Sequence, residues 1–404
     1  MLDQRRIALQ PGVSAMKDLT QPVPGYFSAA DCDLAEFTAR IERTLHPGDV
    51  PLAAEVQKNI PIYDMAALRP MLHDVARRQE LMAEWARGLM HVAGVLVLRG
   101  AYADTDVLDE ARAVYETVIA EEKVAGRDGS DHFAAGANDR LWNALQKLCE
   151  RAPEVFLRYF ANAPIAAVSE AWLGPNYQMT AQVNLVHPGG KAQVAHRDYH
   201  LGFQTPEQSA LYPAHVHALS PVMTLQGAIA HCDMPIDSGP TKLLPFSQAY
   251  LPGYAAYRLP AFAALFEERC VQLPLAKGDA LFFNPALFHA AGENRTTDVA
   301  RFVNLLQVSS AFGRALESID RQGMCARLYP VAQADHGLDP LDLAAALAAC
   351  GEGYPFPTNL DTDPPKGGLA PESQQAFFAR ALREGMSTDA FVAGLAAMAA
   401  KQRA

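Results

Sequence analysis

No stretch of this 404-residue chain approaches the roughly 18 uninterrupted apolar residues of a membrane-spanning helix, so a membrane span is not expected. The first residues carry Arg5 and Arg6 but no apolar signal-peptide core before Pro11. Cysteine is sparse and scattered: the six, at positions 32, 149, 232, 270, 325 and 350, form no C-x-x-C pair and no tight framework. That distribution points to reduced thiols in a core and to a cytoplasmic protein. Positive charge is short as well, 34 basic residues against 45 acidic, for a formal net charge of -11. Such a surface repels phosphate backbones and anionic lipid, so neither nucleic acid nor membrane is an expected partner. A basic pocket for a small anion remains compatible with it. No nucleotide-binding P-loop is present, since Ala192 follows Gly190-Lys191 and Leu185 stands where the first glycine belongs. Internal repeats are absent too.

Half of the residues are hydrophobic and 20% are charged, enough to bury a large core. The length fits two or three domains, or one β-barrel with helical additions. Residues 71–92 show helical spacing of Leu72, Val75, Met82, Trp85, Leu89 and Val92. The glycine-bracketed run at 94–100 then predicts a buried strand, and Asp104 or Thr105 caps a second helix ending near Lys123. Residues 126–139 read as a surface loop, either a lid or an ordinary connection, and short helices are expected over 140–173. From Tyr177 to about Ser310 the pattern changes to short strands, predicted at 178–186, 194–199, 223–232, 270–275, 280–283 and 301–308. Turn residues separate them, as expected of an antiparallel sandwich or barrel. Beyond Gly313 the chain becomes helical again, with a proline-rich linker over 351–370. A helix pair follows, 371–383 ending at Gly385 and a second capped by Ser387 or Thr388, able to pack on its own barrel or to join copies into a homo-oligomer.

Chemistry concentrates in His196-Arg197-Asp198. On a strand, residues i and i+2 share a face, so His196 and Asp198 would point into a barrel mouth while Arg197 points away. Alone, H-x-D is a weak signal in a chain with 12 histidines. His289 strengthens it by standing at the start of a strand-like run just after the turn at Gly278 and the strand at 280–283. Arg301 opens the last predicted strand, 12 residues further on. Two imidazoles and one carboxylate form the facial ligand set of non-haem iron(II) oxygenases, and a buried arginine nearby requires an anionic partner. The tripeptide also copies the H-R-D of protein kinases, but that motif needs an asparagine where Phe203 stands, and no G-x-G-x-x-G precedes it.

The order and setting of these residues resemble the phytanoyl-CoA dioxygenase family of iron(II)- and 2-oxoglutarate-dependent oxygenases, over roughly residues 94–310. The strand at 94–100 resembles the family's entry strand, and His196-Arg197-Asp198-Tyr199-His200 resembles its H-x-D-x-H segment. Residues 237–245 resemble the loop before its P-G-S/T-H turn. Gly278-Asp279, His289, Asn294 and Arg301 resemble its closing motif. The resemblance implies a mainly β core, a cupin-like double-stranded β-helix (jelly roll), at 94–313, with helical extensions at 1–93 and 314–404.

It also implies iron bound by His196, Asp198 and His289, with 2-oxoglutarate as cosubstrate and Arg301 on its distal carboxylate. Asn184 and Gln226 would add cosubstrate contacts. Arg295 is the competing anchor, and His200, Phe203 and Phe133 are candidates for the substrate side. The expected activity is hydroxylation of a small organic substrate with dioxygen, while 2-oxoglutarate is decarboxylated to succinate and CO2. Because Asp198 fills the carboxylate position, no coordination site is vacated for a halide. Two departures stand out: Pro245-Phe246-Ser247-Gln248 replaces P-G-S/T-H, and the spacing from His289 to Arg301 is one residue longer than the family's common pattern. From the residues alone, a zinc-dependent hydrolase or a non-catalytic metal-binding barrel stays open.

Overall fold

The computed structural model describes residues 25–126, 137–365, 367 and 369–403. Among them lie ten strands: β1 (Glu55–Gln57), β2 (Ile60–Asp64), β3 (Val95–Arg99), β4 (Asn138–Leu141), β5 (Gln178–Val186), β6 (Thr224–Ala230), β7 (Lys242–Leu243), β8 (Ala280–Phe283), β9 (His289–Ala290) and β10 (Arg301–Ser309). Eight of them form one sheet in the order β1-β2-β3-β8-β6-β10-β5-β4. The β2–β3 pair is parallel and its other pairs are antiparallel. The second sheet is narrow. β7 pairs with β9, and single bridges extend it on both sides, Val271 to Leu243 and His196 to His289. The two sheets make the expected double-stranded β-helix.

Alternation along the strands divides the large sheet into two unlike faces. On β10, Phe302, Leu306 and Val308 face a helical layer and share its core with Trp85, Leu108, Tyr115, Phe156, Tyr159 and Tyr329. Asn304 is buried on that face and donates to the Tyr159 hydroxyl at 2.9 Å, which compensates the burial of its amide N–H. Val303 and Leu305 point the other way, toward Ala228, Leu281 and Phe283, into the space between the sheets. One strand thus closes a dry core and lines a site.

Several expectations change. Residues 194–199 and 270–275 are not strands; each contributes only isolated bridges. Pro274 has no N–H to give a ladder, and the left-handed φ of Tyr199 (60°) and His200 (37°) ends the extended run after Asp198. Arg140 and Leu141, expected in a helix, pair instead with Asn184 and Val183 of β5. Helices follow at Ala144–Arg151, Pro153–Phe160 and Ala163–Leu173. The expected helix at 71–92 is a short 3-10 helix, Arg69–His73, followed by Val75–His91, whose first turn is capped by Asp74. The N-terminal segment is not purely helical. β1 and β2 form a hairpin through Lys58 and Asn59, both at positive φ, and lengthen the sheet beside β3.

The C-terminal helix pair is present as Gln374–Glu384 and Thr388–Lys401, capped by Ser373 and Ser387 with Gly385 left-handed between them. It packs on its own chain: Phe391 stacks on Tyr329 with centroids 4.0 Å apart, and the Tyr329 hydroxyl donates to the Met386 carbonyl. Residues 351–365 of the expected linker hold no helix or strand. Among the described residues no helix is long and apolar enough to cross a membrane.

Phe391 is fully buried between Tyr329, Phe377 and Phe378. Phe391→Ala is expected to cost about 3–5 kcal/mol of unfolding free energy, read from the urea midpoint. A loss below about 1 kcal/mol would mean that the hairpin is not part of the cooperative core.

Candidate metal centre

The site is built on a reciprocal backbone pair. The His196 N–H donates to the His289 carbonyl at 3.0 Å, and the His289 N–H donates back to the His196 carbonyl at 3.2 Å. This is the closely bonded pair of an antiparallel ladder, so the two side chains leave the same face side by side, their ring centroids 4.4 Å apart. Asp198 completes the group two residues later. Its N–H is held by the Pro285 carbonyl at 3.2 Å, so the same-face relation of His196 and Asp198 survives without a continuous strand. One ligand atom from each of the three residues lies within 4.8 Å of the others.

Each ring is oriented from behind. Nδ1 of His196 donates to the Val194 carbonyl at 2.9 Å, and Nδ1 of His289 donates to the Leu287 carbonyl at 2.9 Å. With Nδ1 carrying the proton, Nε2 is the nitrogen left to bind a metal, and both Nε2 atoms face Asp198, at 3.7 and 3.3 Å from its oxygens. Burial pushes the His196 imidazole below its ordinary range, toward the neutral form a ligand needs. Burial also raises the Asp198 carboxyl, but the two imidazoles and the Gln226 amide outweigh it and hold the group well below the usual carboxylate range.

Arg197 does face away, and it anchors the ligand loop. Its guanidinium is buried, donates to the Ser247 and Tyr250 carbonyls at 2.7 and 2.9 Å, and lies against the rings of Tyr254 and Phe288. Desolvation lowers it to about 10, and carbonyl dipoles and ring faces take the place of a carboxylate partner. A β-carbon on Gly253 would meet the guanidinium at 2.0 Å, so close approach fixes glycine there.

A cavity of 440 Å³ opens beside the triad, lined by both sheets, within the range of small-molecule sites. Arg301 lines it. The side chain is buried and donates to the Ser238 and Gly292 carbonyls at 2.9 and 3.3 Å, and desolvation lowers it to about 10 against the pull of the Cys232 thiol, with no carboxylate paired to it among the described residues. Arg295, the competing anchor, is exposed and ion-paired with Asp237 at 3.1 Å. Asn184 and Gln226 also line the cavity. The Gln226 amide donates to Asp198 Oδ2, while its own oxygen and that of Asn184 have no hydrogen-bond partner among the described residues.

The other flagged residues separate. Asn294 is structural: its amide spans the Val186 and Val299 carbonyls and ties the connection between His289 and Arg301 that the long spacing left open. Gln248, in place of the family's histidine, turns to the Val92 carbonyl, and Phe246 takes a left-handed φ of 70° in place of glycine. His200 is exposed, bonds Ser220 and does not line the cavity, whereas Phe203 does line it. Phe133 lies outside the described residues. Sequence reasoning missed Arg140, Trp142, Gln182, Gln307 and Glu317 on the cavity wall. A signal existed for Gln182, because the alternation over 178–186 puts Thr180, Gln182 and Asn184 on one face; Glu317 sits in a loop with no periodicity to mark it.

A jelly-roll enclosing two histidines and one carboxylate on one side of a cavity defines a metal-dependent oxygenase architecture. The phytanoyl-CoA dioxygenase family model matches residues 90–303, more than half of the 404, and the chain belongs to that family of iron- and 2-oxoglutarate-dependent oxygenases. Iron and 2-oxoglutarate are accordingly its cofactor and cosubstrate, and the donor set suits that metal. No curated protein matches the chain. Among solved structures it is similar to the non-heme alpha ketoglutarate dependent epimerase SnoN from nogalamycin biosynthesis, at 20% identity and TM-score 0.39 over 59% of this chain and 85% of that one. It is similar also to the carbocyclase SnoK from the same biosynthesis, at 18% identity and TM-score 0.41 over 57% and 83%. At those scores the likeness carries no argument.

Arg197→Ala removes two buried charge-assisted hydrogen bonds and leaves the Ser247 and Tyr250 carbonyls only the backbone N–H groups of Tyr250 and Gly253, and is expected to destabilise the fold by about 2–5 kcal/mol in urea unfolding. Arg197→Lys should recover little of this, since an ammonium does not reproduce the planar fork against two rings. Full recovery with lysine would show that charge alone holds the loop.

Proposed function

We propose that this protein is a cytoplasmic iron(II)- and 2-oxoglutarate-dependent hydroxylase of a small organic molecule. The observation that carries the reading is the convergence of His196, Asp198 and His289 on the same cavity as a buried Arg301 that has no carboxylate partner among the described residues. A hydrolytic zinc site has no general need for such a cation. The six free thiols support a reducing compartment.

In this reading the two Nε2 atoms and the Asp198 carboxylate hold iron, and Arg301 receives the distal carboxylate of 2-oxoglutarate through the guanidinium edge not spent on Ser238 and Gly292. Asn184 contributes a polar contact to the cosubstrate, and Gln226 fixes the Asp198 oxygen it bonds. When bound, iron and 2-oxoglutarate supply the oxidising power for insertion of one oxygen atom of O2 into a C–H bond, the other entering succinate. The balance is substrate, O2 and 2-oxoglutarate to hydroxylated substrate, succinate and CO2. The protein's own contribution is orientation and exclusion of water: Phe283 packs against the His289 ring at 4.6 Å, and Val303 and Leu305 keep that wall apolar. With Asp198 retained as a ligand, hydroxylation is the favoured outcome over halogenation.

Titrating anaerobic apoprotein with iron(II) and 2-oxoglutarate should produce a visible charge-transfer band that His196→Ala abolishes. Absence of the band together with tight zinc retention would sink the assignment. Arg301→Ala should raise the KM for 2-oxoglutarate on the order of 100-fold, through loss of a charge-assisted pair. Gln226→Leu should weaken iron binding roughly 10–100-fold, the usual effect of releasing a ligand from its supporting hydrogen bond. An unchanged iron affinity in that variant would reassign Gln226 to the cosubstrate alone.

A further inference from the structure

The wall of the cavity supplied by β4, β5 and the chain beyond β10 has a chemistry that the metal and 2-oxoglutarate leave unused. Glu317 lines the cavity together with Trp142, Gln182, Phe203 and Leu316. One oxygen of its carboxyl, Oε1, accepts from the Asn143 N–H at 2.6 Å. The other, Oε2, is buried and has no hydrogen-bond partner among the described residues; the Gln182 amide acts on the carboxyl, but its own hydrogen bond goes to Gln307. A buried carboxylate oxygen without a donor is costly, and its presence in a ligand cavity points to a donor arriving with the ligand. Burial pushes the Glu317 carboxyl up to about 7, against the pull of the Asn143 N–H, the Gln182 amide, and the Lys147 and Arg140 charges.

2-Oxoglutarate is the wrong partner for that oxygen. To the ionised form of Glu317, which an incoming donor favours, it offers only carboxylate and keto oxygens, which accept hydrogen bonds, and its charge repels that carboxylate. Position agrees. Gln182 donates to Gln307 at 2.9 Å, and Gln307 stands opposite Gln226, whose amide bonds Asp198. Gln307 lies six residues along β10 from Arg301, roughly 20 Å at the rise of an extended strand. Glu317 therefore belongs with the metal-side amides, away from the strand end that carries Arg301. The indole of Trp142 and the side chains of Phe203 and Leu316 give the same wall an apolar surface.

We propose that Glu317 is the specificity-determining residue for the substrate, a small molecule with an apolar body against Trp142, Phe203 and Leu316 and an O–H or N–H donor seated on Glu317 Oε2. The proposal rests on the hydroxylase reading. It narrows the substrate class to alcohols and amines and sets aside acids and donor-free hydrocarbons.

The test uses the full-length protein loaded with iron(II) and 2-oxoglutarate, and a library in which each alcohol is paired with its methyl ether and each primary amine with its quaternary ammonium counterpart. Succinate formation and oxygenated product mass are read together. Compounds that stimulate turnover should be the donor-bearing members, and the alcohol and amine arms identify which donor is used. In Glu317→Gln the KM for those compounds should rise roughly ten-fold or more with little change in kcat, the cost of losing a hydrogen bond to a charged group. Glu317→Leu should do the same, and the iron–2-oxoglutarate band retained in both variants reports an intact site. Equal turnover of donor-free partners, insensitivity to both substitutions, or a library without a donor-bearing hit would overturn the proposal while the hydroxylase reading stands. Absence of the band in the unsubstituted protein would remove the hydroxylase reading, and this proposal with it.

Discussion

The backbone exchange between His196 and His289 is the contact on which the site depends. Two hydrogen bonds, at 3.0 and 3.2 Å, place imidazoles that are 93 positions apart in the chain side by side on one face. Neither residue lies in a long strand. The pair is a single bridge at the edge of the narrow sheet, so its geometry must be held from outside. On one side the Pro285 carbonyl catches Asp198, and Arg197 reaches back to clamp the Ser247 and Tyr250 carbonyls. On the other, Asn294 gathers the connection toward Arg301. The large sheet beneath supplies stiffness, because β10 pairs along its length with both β5 and β6.

Charge is distributed in this protein by burial as much as by pairing. Arg197 and Arg301 are both buried and both lowered by desolvation, yet they differ in what they face. Arg197 is enclosed by carbonyls and rings, and one of its guanidinium nitrogens is spent on two structural carbonyls. Arg301 spends one guanidinium nitrogen on two carbonyls and meets a cavity with the rest. The same contrast separates Asp198, whose imidazole and amide neighbours keep it ionised, from Glu317, whose burial is only partly offset. A cavity with a cation toward one end and a donor-hungry carboxyl elsewhere is suited to hold two unlike small molecules at once.

Much of the fold was legible because periodicity is local. The runs at 178–186, 280–283 and 301–308 alternate or stay apolar as buried strands must, and they appear within a residue of their expected bounds. The C-terminal helix pair announced itself through Gly385 and Ser387, whose roles are local to each helix end; the first helix starts at Gln374 behind Ser373, later than the expected 371. The segments at 194–199 and 270–275 misled for the opposite reason: their composition is strand-like, but pairing is a tertiary matter, and they lie at the margins of a sheet too narrow to form ladders with them. β1, β2 and β4 were missed because, unlike the apolar runs of β3 and β8, β1 (Glu55–Gln57) and β4 (Asn138–Leu141) are short and mostly polar and β2 contains Pro61, and only neighbouring β3 and β5 make β2 and β4 strands.

The sequence by itself determined the chemistry: two histidines and an aspartate in an order that resembles one oxygenase family, an arginine downstream, and strand periodicity able to carry them. Residue type settles what a side chain can bind, and spacing of one or two residues settles which neighbours share a face. Tertiary structure decided which of the candidates meet. It assigned Gln226 to the Asp198 carboxylate, sent Arg295 to Asp237 at the surface, turned Gln248 and His200 away from the cavity, and brought Glu317 into it from a loop with no pattern of its own. Those outcomes depend on contacts between residues tens to hundreds of positions apart, and no local rule of propensity or period reaches that far.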